Sequence, residues 1–247
     1  MIIYVDLDGT LLNDKSEITD YTRQIIAQLQ EKGHLFVFNT ARSLTATKEF
    51  LKYVTPDYLI LNGGNQIFDK NLNILFESRI PLDKTKEIIE CLHQNNVNHI
   101  LVELGDGFVS DSLEYVKKHL YTHYLDFKDI DKGALKIVYE TSDDFNDQLL
   151  LQIYDLDMTN YVGGKLHKIS VHDKSFGNTK LEQLLSNTDK TISFGDDLGD
   201  ILMIKNSDVK VCMKNSQPEL FKYNFSVTDY TNDEDGVAKY LEKLLLS

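Results

Sequence analysis

The opening twelve residues constrain this chain more than any other stretch. Ile2-Ile3-Tyr4-Val5 is a short apolar run that delivers two carboxylates, Asp6 and Asp8, onto a turn at Gly9. The run is too short and too uniformly apolar for an amphipathic helix, and it predicts a buried β-strand. Gly9 permits the tight turn that must follow. Asp6 and Asp8 then stand where strand becomes loop, the usual address of a ligand site in a parallel α/β sheet. Acids packed this tightly repel one another unless a cation binds, so the segment suits metal-assisted phosphoryl transfer.

The next residues extend the pattern. Ile18, Tyr21, Ile25, Ile26 and Leu29 recur at helical spacing, with Thr19 placed as N-cap and Gly33 as C-terminal stop. Leu35 to Phe38 read as a second strand ending in Asn39-Thr40-Ala41-Arg42, followed by a helix from about Ser43 to Tyr53 and a third strand from Tyr58 to Leu61. Strands alternating with helices predict parallel pairing through crossover helices.

From about Pro81 the rhythm changes. Helices are expected near Asp83 to Asn95, Leu113 to Tyr121 and Phe145 to Tyr154. Strands are expected at His99 to Leu104, Phe108 to Ser110, Ala134 to Tyr139 and Tyr161 to Gly163. This middle third predicts a separate α+β unit. Leu166 to Val171 are expected to return the chain to the first domain. A helix near Lys180 to Leu185 and a strand at Thr191 to Phe194 then lead into Gly195-Asp196-Asp197-Leu198-Gly199-Asp200. Acidic residues again follow a short apolar strand. Val209 to Met213 predict another strand, and Val237 to Leu246 a closing helix.

Composition narrows the partners. The formal charge of −13, from 39 acidic and 26 basic residues, argues against general affinity for nucleic acid or anionic membrane, both of which attract basic surfaces. Cys91 and Cys212 form no CxxC pair, and the histidines show neither HExxH nor Cys/His zinc spacing. No apolar stretch approaches the roughly 20 residues that span a bilayer, and no basic segment followed by an apolar core marks a leader. The expectation is a cytoplasmic protein that acts on a small phosphorylated substrate, with oligomeric state unread.

The order DLDGTLL, NTAR, a lysine and GDDLGD resembles the haloacid dehalogenase superfamily. The large middle insertion is similar to the Cof-type branch, whose cap lies between the second and third motifs, and Asn232-Asp233-Glu234-Asp235-Gly236-Val237-Ala238 is similar to that branch's C-terminal signature. The resemblance implies an α/β fold: a Rossmann-like parallel sheet with helices on both faces, from residues 1–80 and 167–247, and an inserted α+β cap over 81–166 that shuts over the site. It implies Mg²⁺ as cofactor, held by Asp6, the backbone carbonyl of Asp8 and Asp196, with Asp200 as ligand or support.

The residue types carry the same chemistry. A carboxylate attacks phosphorus effectively only when its charge and the phosphate's are offset, which a hard, oxygen-seeking cation does. Asp6 is the expected nucleophile, forming an aspartyl-phosphate, and Asp8 the expected acid toward the leaving oxygen and base toward water. Thr40, between a strand and a helix, and Arg42, capable of bidentate bonding, are candidate phosphate or substrate ligands, with a plain N-cap and a surface ion pair as their bland alternatives. Asn215 is a further candidate, with an exposed turn residue as its alternative.

The third motif departs from the family pattern of a Lys-Gly pair opening a helix. Lys180, with Thr179 or Asn178 as cap, is the expected partner of the phosphate and Asp6, and Lys174 is the alternative. Gly199 and Ala41 also stand where relatives often carry asparagine and glycine. The expected function is a Mg²⁺-dependent phosphatase of small metabolites, most readily sugar phosphates. A phosphosugar mutase similar to phosphomannomutases, or a non-catalytic protein that keeps the fold, are the rivals.

Overall fold

Four buried residues set the centre of the first sheet. In the computed structural model, which describes residues 1–97, 99–118, 122–140, 150, 156–160, 166–186 and 189–246, β1 (Ile2–Val5) is buried throughout. It pairs in parallel on both sides. Ile2 lies opposite Leu35 of β2 (Leu35–Asn39) and Thr191 of β12 (Thr191–Gly195), and Val5 lies opposite Phe38 and Phe194. This register brings the carboxyl ends of three strands level, so Asp6, Thr40 and Asp196 leave the sheet along one edge.

The chain order along that sheet is β14-β13-β12-β1-β2-β3-β4-β5. Its outer strands are β13 (Val209–Cys212) and β14 (Ser226–Val227) on one side, and β3 (Tyr58–Leu61), β4 (Gln66–Asp69) and β5 (Ile74–Glu77) on the other. Strands alternate their side chains between faces. Ile2 and Tyr4 therefore pack on one face with Leu181, Met203 and Ile204, while Phe194 on the other meets Tyr240 edge-on at 5.5 Å. Helices thus cover both faces.

Helix α1 (Asp20–Glu31) starts where expected, the Thr19 side chain accepting the Thr22 N–H, and Gly33 follows it at φ +82°. The helix expected over residues 43–53 is much shorter, α2 (Leu44–Thr47). The antiparallel strand β4 and the edge strand β5 were not expected, because polar Gln66 and Asp69 bound a run too short to read as a core strand and β5 ends the sheet.

The second sheet runs β10-β11-β9-β6-β7-β8. It comprises β6 (Ile100–Glu103), β7 (Phe108–Ser110), β8 (Thr122–Tyr124), β9 (Lys136–Glu140), β10 (Asp157–Asn160) and β11 (Leu166–Ser170). Helix α3 (Leu82–Gln94) lays Ile88, Ile89 and Leu92 against Ile100, Val102, Ile137, Tyr139 and Ile169. α4 (Leu113–Lys118) places Tyr115 with Leu101 and Val138 of the opposite face.

β11 corrects one expectation. It pairs with β9 and β10 and so belongs to the second sheet rather than returning the chain to the first. Met1–Ala41, Lys48–Phe76 and Lys174–Ser247 form one compact unit, and Arg42–Thr47 and Glu77–Asp173 the other. The helix expected over 145–154, apart from Leu150, the strand expected over 161–163 and the end of the helix expected over 113–121 fall outside the described residues. Among the described residues no helix is long and apolar enough to cross a membrane.

Candidate active site

The segment that leads from Lys174 to the site begins six residues earlier than expected. Helix α5 runs Lys174–Leu185, so Lys174 and not Lys180 stands in its first turn. Gly177, which reads in sequence as a break, lies inside the helix because a Cβ there would come 2.4 Å from Ile60 Cγ2 and 3.0 Å from Gly64 Cα. The glycine lets the helix lie close on β3 and the turn after it. Asn39, fully buried at the end of β2, fastens that first turn by donating from Nδ2 to the Lys174 carbonyl (3.0 Å) and to Asn178 Oδ1 (2.7 Å).

Lys174 is therefore the charge partner of Asp6. Its Nζ donates to Asp6 Oδ1 at 2.7 Å and to Asp200 Oδ1 at 2.6 Å. Burial works against the ammonium, but Asp200 and Asp6 outweigh it and hold its pKa well above the ordinary lysine value. The expectation for Lys180 is corrected: its Nζ lies over the Phe76 ring at 5.2 Å, a cation–π contact.

Three carboxylates converge here. Asp6, Asp196 and Asp200 each present an oxygen, and these atoms all lie within 4.8 Å of one another. Burial raises Asp6 well above the ordinary aspartate value; Lys174 opposes the shift, and the neighbouring acids add to it. One lysine cannot offset three carboxylates, two of them buried and the third half-buried. Asp196 is pushed up to about 7, by burial first and then by Asp200.

Their remaining contacts divide the labour. Asp200 has both oxygens engaged, Oδ1 by Lys174 and Oδ2 by the backbone N–H groups of Asp196 (3.0 Å) and Asp197 (3.2 Å). It braces the turn after β12. Asp197 caps the following turn by accepting the Gly199 N–H. Asp196 accepts the Thr10 hydroxyl at 2.8 Å through Oδ1, and Lys174 engages one oxygen of Asp6. Hard carboxylate oxygens and a surplus of buried negative charge fit a small divalent cation such as Mg²⁺, for which Asp6 and Asp196 are the donors best placed.

Asp8 is exposed on the loop between Asp6 and Gly9. Thr40 is buried at the carboxyl edge, its backbone N–H donating to the Ile60 carbonyl and its carbonyl accepting from Gly63. Arg42 belongs to the second unit and donates to the Ala46 carbonyl at 3.2 Å. Asn215 is spent on backbone: Nδ2 donates to the Gly9 carbonyl (2.8 Å), and Oδ1 accepts the Asn232 N–H (3.0 Å). Thr10 and Asn39 were not anticipated. The hydroxyl directly after Gly9 was the available signal for Thr10.

Comparison with known proteins agrees with this geometry. The model of the haloacid dehalogenase-like hydrolase family matches residues 3–241. A candidate phosphatase of Buchnera aphidicola from Acyrthosiphon pisum is 31% identical, over 99% of this chain and 96% of its own. The 5-amino-6-(5-phospho-D-ribitylamino)uracil phosphatase YcsE of Bacillus subtilis is 27% identical over 99% and 96%. A haloacid dehalogenase-like hydrolase from Bacteroides thetaiotaomicron superposes with a TM-score of 0.85 at 24% identity, covering 99% of each chain, which shows the shared fold. The chain belongs to the haloacid dehalogenase-like hydrolase family.

Proposed function

We propose that this hydrolase is a Mg²⁺-dependent phosphatase of small phosphorylated metabolites, with sugar and sugar-alcohol phosphates as its substrates. The observation that carries the reading is the meeting of Asp6, Lys174 and Asp196 where the carboxyl ends of β1 and β12 face the amino end of α5. The relative from Bacillus subtilis, named for a phosphoribityl substrate, supports the choice of substrate class.

A bound Mg²⁺ would lower the repulsion between the Asp6 carboxylate and an incoming phosphate dianion. The Asp6 oxygen that does not face Lys174 attacks phosphorus in line, and the bond to the leaving oxygen breaks. Asp8 gives that oxygen its proton, so the alcohol departs neutral. Water then attacks the aspartyl-phosphate while Asp8 takes its proton, and cleavage returns Asp6 and inorganic phosphate. Lys174 holds Asp6 in one rotamer and balances charge throughout. Thr40 is the candidate phosphate ligand, and the second unit is assigned the choice of leaving group.

Turnover of a panel of phosphate monoesters with Mg²⁺ tests the reading. Release of inorganic phosphate is expected, lost on chelation and in Asp6→Asn with circular dichroism unchanged. Hydrolysis by Asp6→Asn at the normal rate would refute the nucleophile. A hexose phosphate converted to its isomer without released phosphate would favour the mutase.

A further inference from the structure

We propose that Asn232, seconded by Asn215, is a positioning residue for phosphoryl transfer that holds the backbone of the loop carrying Asp8. The proposal rests on the phosphatase reading above. Asn232 opens the short turn Asn232–Glu234 near the C-terminus and is only 8% exposed. Its Nδ2 donates to the Leu12 carbonyl at 3.0 Å and to Asp14 Oδ1 at 3.1 Å. Its backbone N–H orients Asn215, whose Nδ2 reaches the Gly9 carbonyl. Next to it, Asp233 Oδ1 accepts the Asp14 N–H at 2.7 Å. A segment more than two hundred residues away thus grips both flanks of residues 10 and 11.

The loop needs such a grip. Asp6 is tied to the sheet through its N–H to the Phe194 carbonyl, but Asp8 is exposed, and Gly9 follows it at φ +71°. Glycine moves between backbone wells at little cost, so rotation about residue 9 would swing Asp8 and Thr10 together. Two backbone bonds, Leu11 N–H to the Asp6 carbonyl (3.2 Å) and Leu12 N–H to the Leu7 carbonyl (2.8 Å), close the loop from within, and the asparagine bonds to the Gly9 and Leu12 carbonyls hold it from outside. Neither asparagine is needed at the reacting atoms, and displacement of a catalytic group by about 1 Å is enough to cost about a hundredfold in rate.

The same turn has a second arm that serves as an internal control. Asp235, at φ +59°, accepts the Thr19 and Thr22 hydroxyls and so anchors α1 rather than the loop. Glycine tolerates that backbone, so Asp235→Gly removes the anchor without adding strain.

The test is steady-state hydrolysis of p-nitrophenyl phosphate by the full chain with Mg²⁺. Asn232→Ala is expected to lower kcat by about tenfold or more, with KM and the Mg²⁺ half-saturation moving less than about threefold. Asn215→Ala should lower it less, because its bond to the Gly9 carbonyl is exposed, and the double variant should lose less than the product of the two single effects. Asp235→Gly should lose thermal stability while keeping kcat within about twofold of wild type. Faster amide exchange at residues 9–12 in Asn232→Ala would show the loop released even if the variant is unstable. Kcat unchanged in Asn232→Ala, or falling equally in Asp235→Gly, would overturn the positioning role. An inactive wild-type protein would overturn the phosphatase reading and this proposal with it.

Discussion

Gly9 faces Asp196 so closely that a Cβ placed on it would stand 2.4 Å from Asp196 Oδ2. The glycine is thus required twice, once by its φ of +71° and once by the carboxylate beside it. Gly9→Ala should keep the fold at a cost of about 1–2 kcal/mol for the left-handed backbone. It should also push Asp196 away from Asp6 and weaken Mg²⁺ binding by tenfold or more, on the order of one lost charged contact. Calorimetric titration of Mg²⁺ measures this, and unchanged affinity would show that Asp196 is not a donor.

Lys174 and Lys180 separate cleanly by substitution. Removing Lys174 leaves Asp6 and Asp200 buried without their ammonium, a loss that costs about 3 kcal/mol or more for a buried pair. Lys174→Ala should abolish measurable turnover and lower the melting temperature. Lys180→Ala removes a contact with the Phe76 ring and should leave kcat within about twofold. Assays of the two variants side by side check the assignment, and a greater loss at position 180 would reverse it.

That pair also marks the limit of what the chain's pattern discloses. The strands β1, β2, β3 and β12 announce themselves as short apolar runs with acids after β1 and β12, and the resemblance to the family picks Asp196 and Asp200 from among the latter. Lys174 is legible only as the alternative to Lys180, because the helix start depends on Gly177 lying close to Ile60 and Gly64, more than a hundred positions away. β11 deceives for a similar reason. Its short run Leu166-His167-Lys168-Ile169-Ser170 fits a strand, but only its partners β9 and β10 say which sheet it joins. Local spacing reports what a segment becomes and leaves its neighbours unstated.

Cation binding should carry protons with it. In the metal-free protein Asp196 sits near pH 7, raised by burial and by Asp200, whereas a cation requires the carboxylate form. Below pH 7 the cation must displace a proton from Asp196, and above it Asp196 is already ionised. Apparent Mg²⁺ affinity should therefore climb as pH rises toward about 7 and flatten beyond it. Titration calorimetry at pH 6 and pH 8 in buffers of different ionisation enthalpy reads the proton release directly. Equal release at both values would contradict the assignment.

Lys136 offers a pH test away from the active site. It lies on β9 opposite Glu103 of β6, is only 3% exposed, and packs its ammonium over the Phe108 ring at 4.9 Å. Burial lowers its pKa from 10.5 to about 8; Glu103 opposes the shift and Lys168 adds to it. Since the folded pKa is below the unfolded one, the unfolded chain holds the extra proton between about pH 8 and 10.5, and stability climbs with pH across that window. Below pH 8 the whole cost of the buried charge stands, on the order of 3 kcal/mol. Lys136→Met removes this titration but leaves the fully buried Glu103 without its cationic neighbour, so the pH trend carries the test: the stability of wild type relative to the variant should climb from pH 7 to pH 10 as the wild-type lysine loses its proton. Denaturant unfolding of both proteins at pH 7, 8.5 and 10 measures the difference, in which the titrating groups remote from Lys136 cancel. A stability difference that stays constant over this range would mean that Lys136 keeps its charge in the folded protein, held there by Glu103.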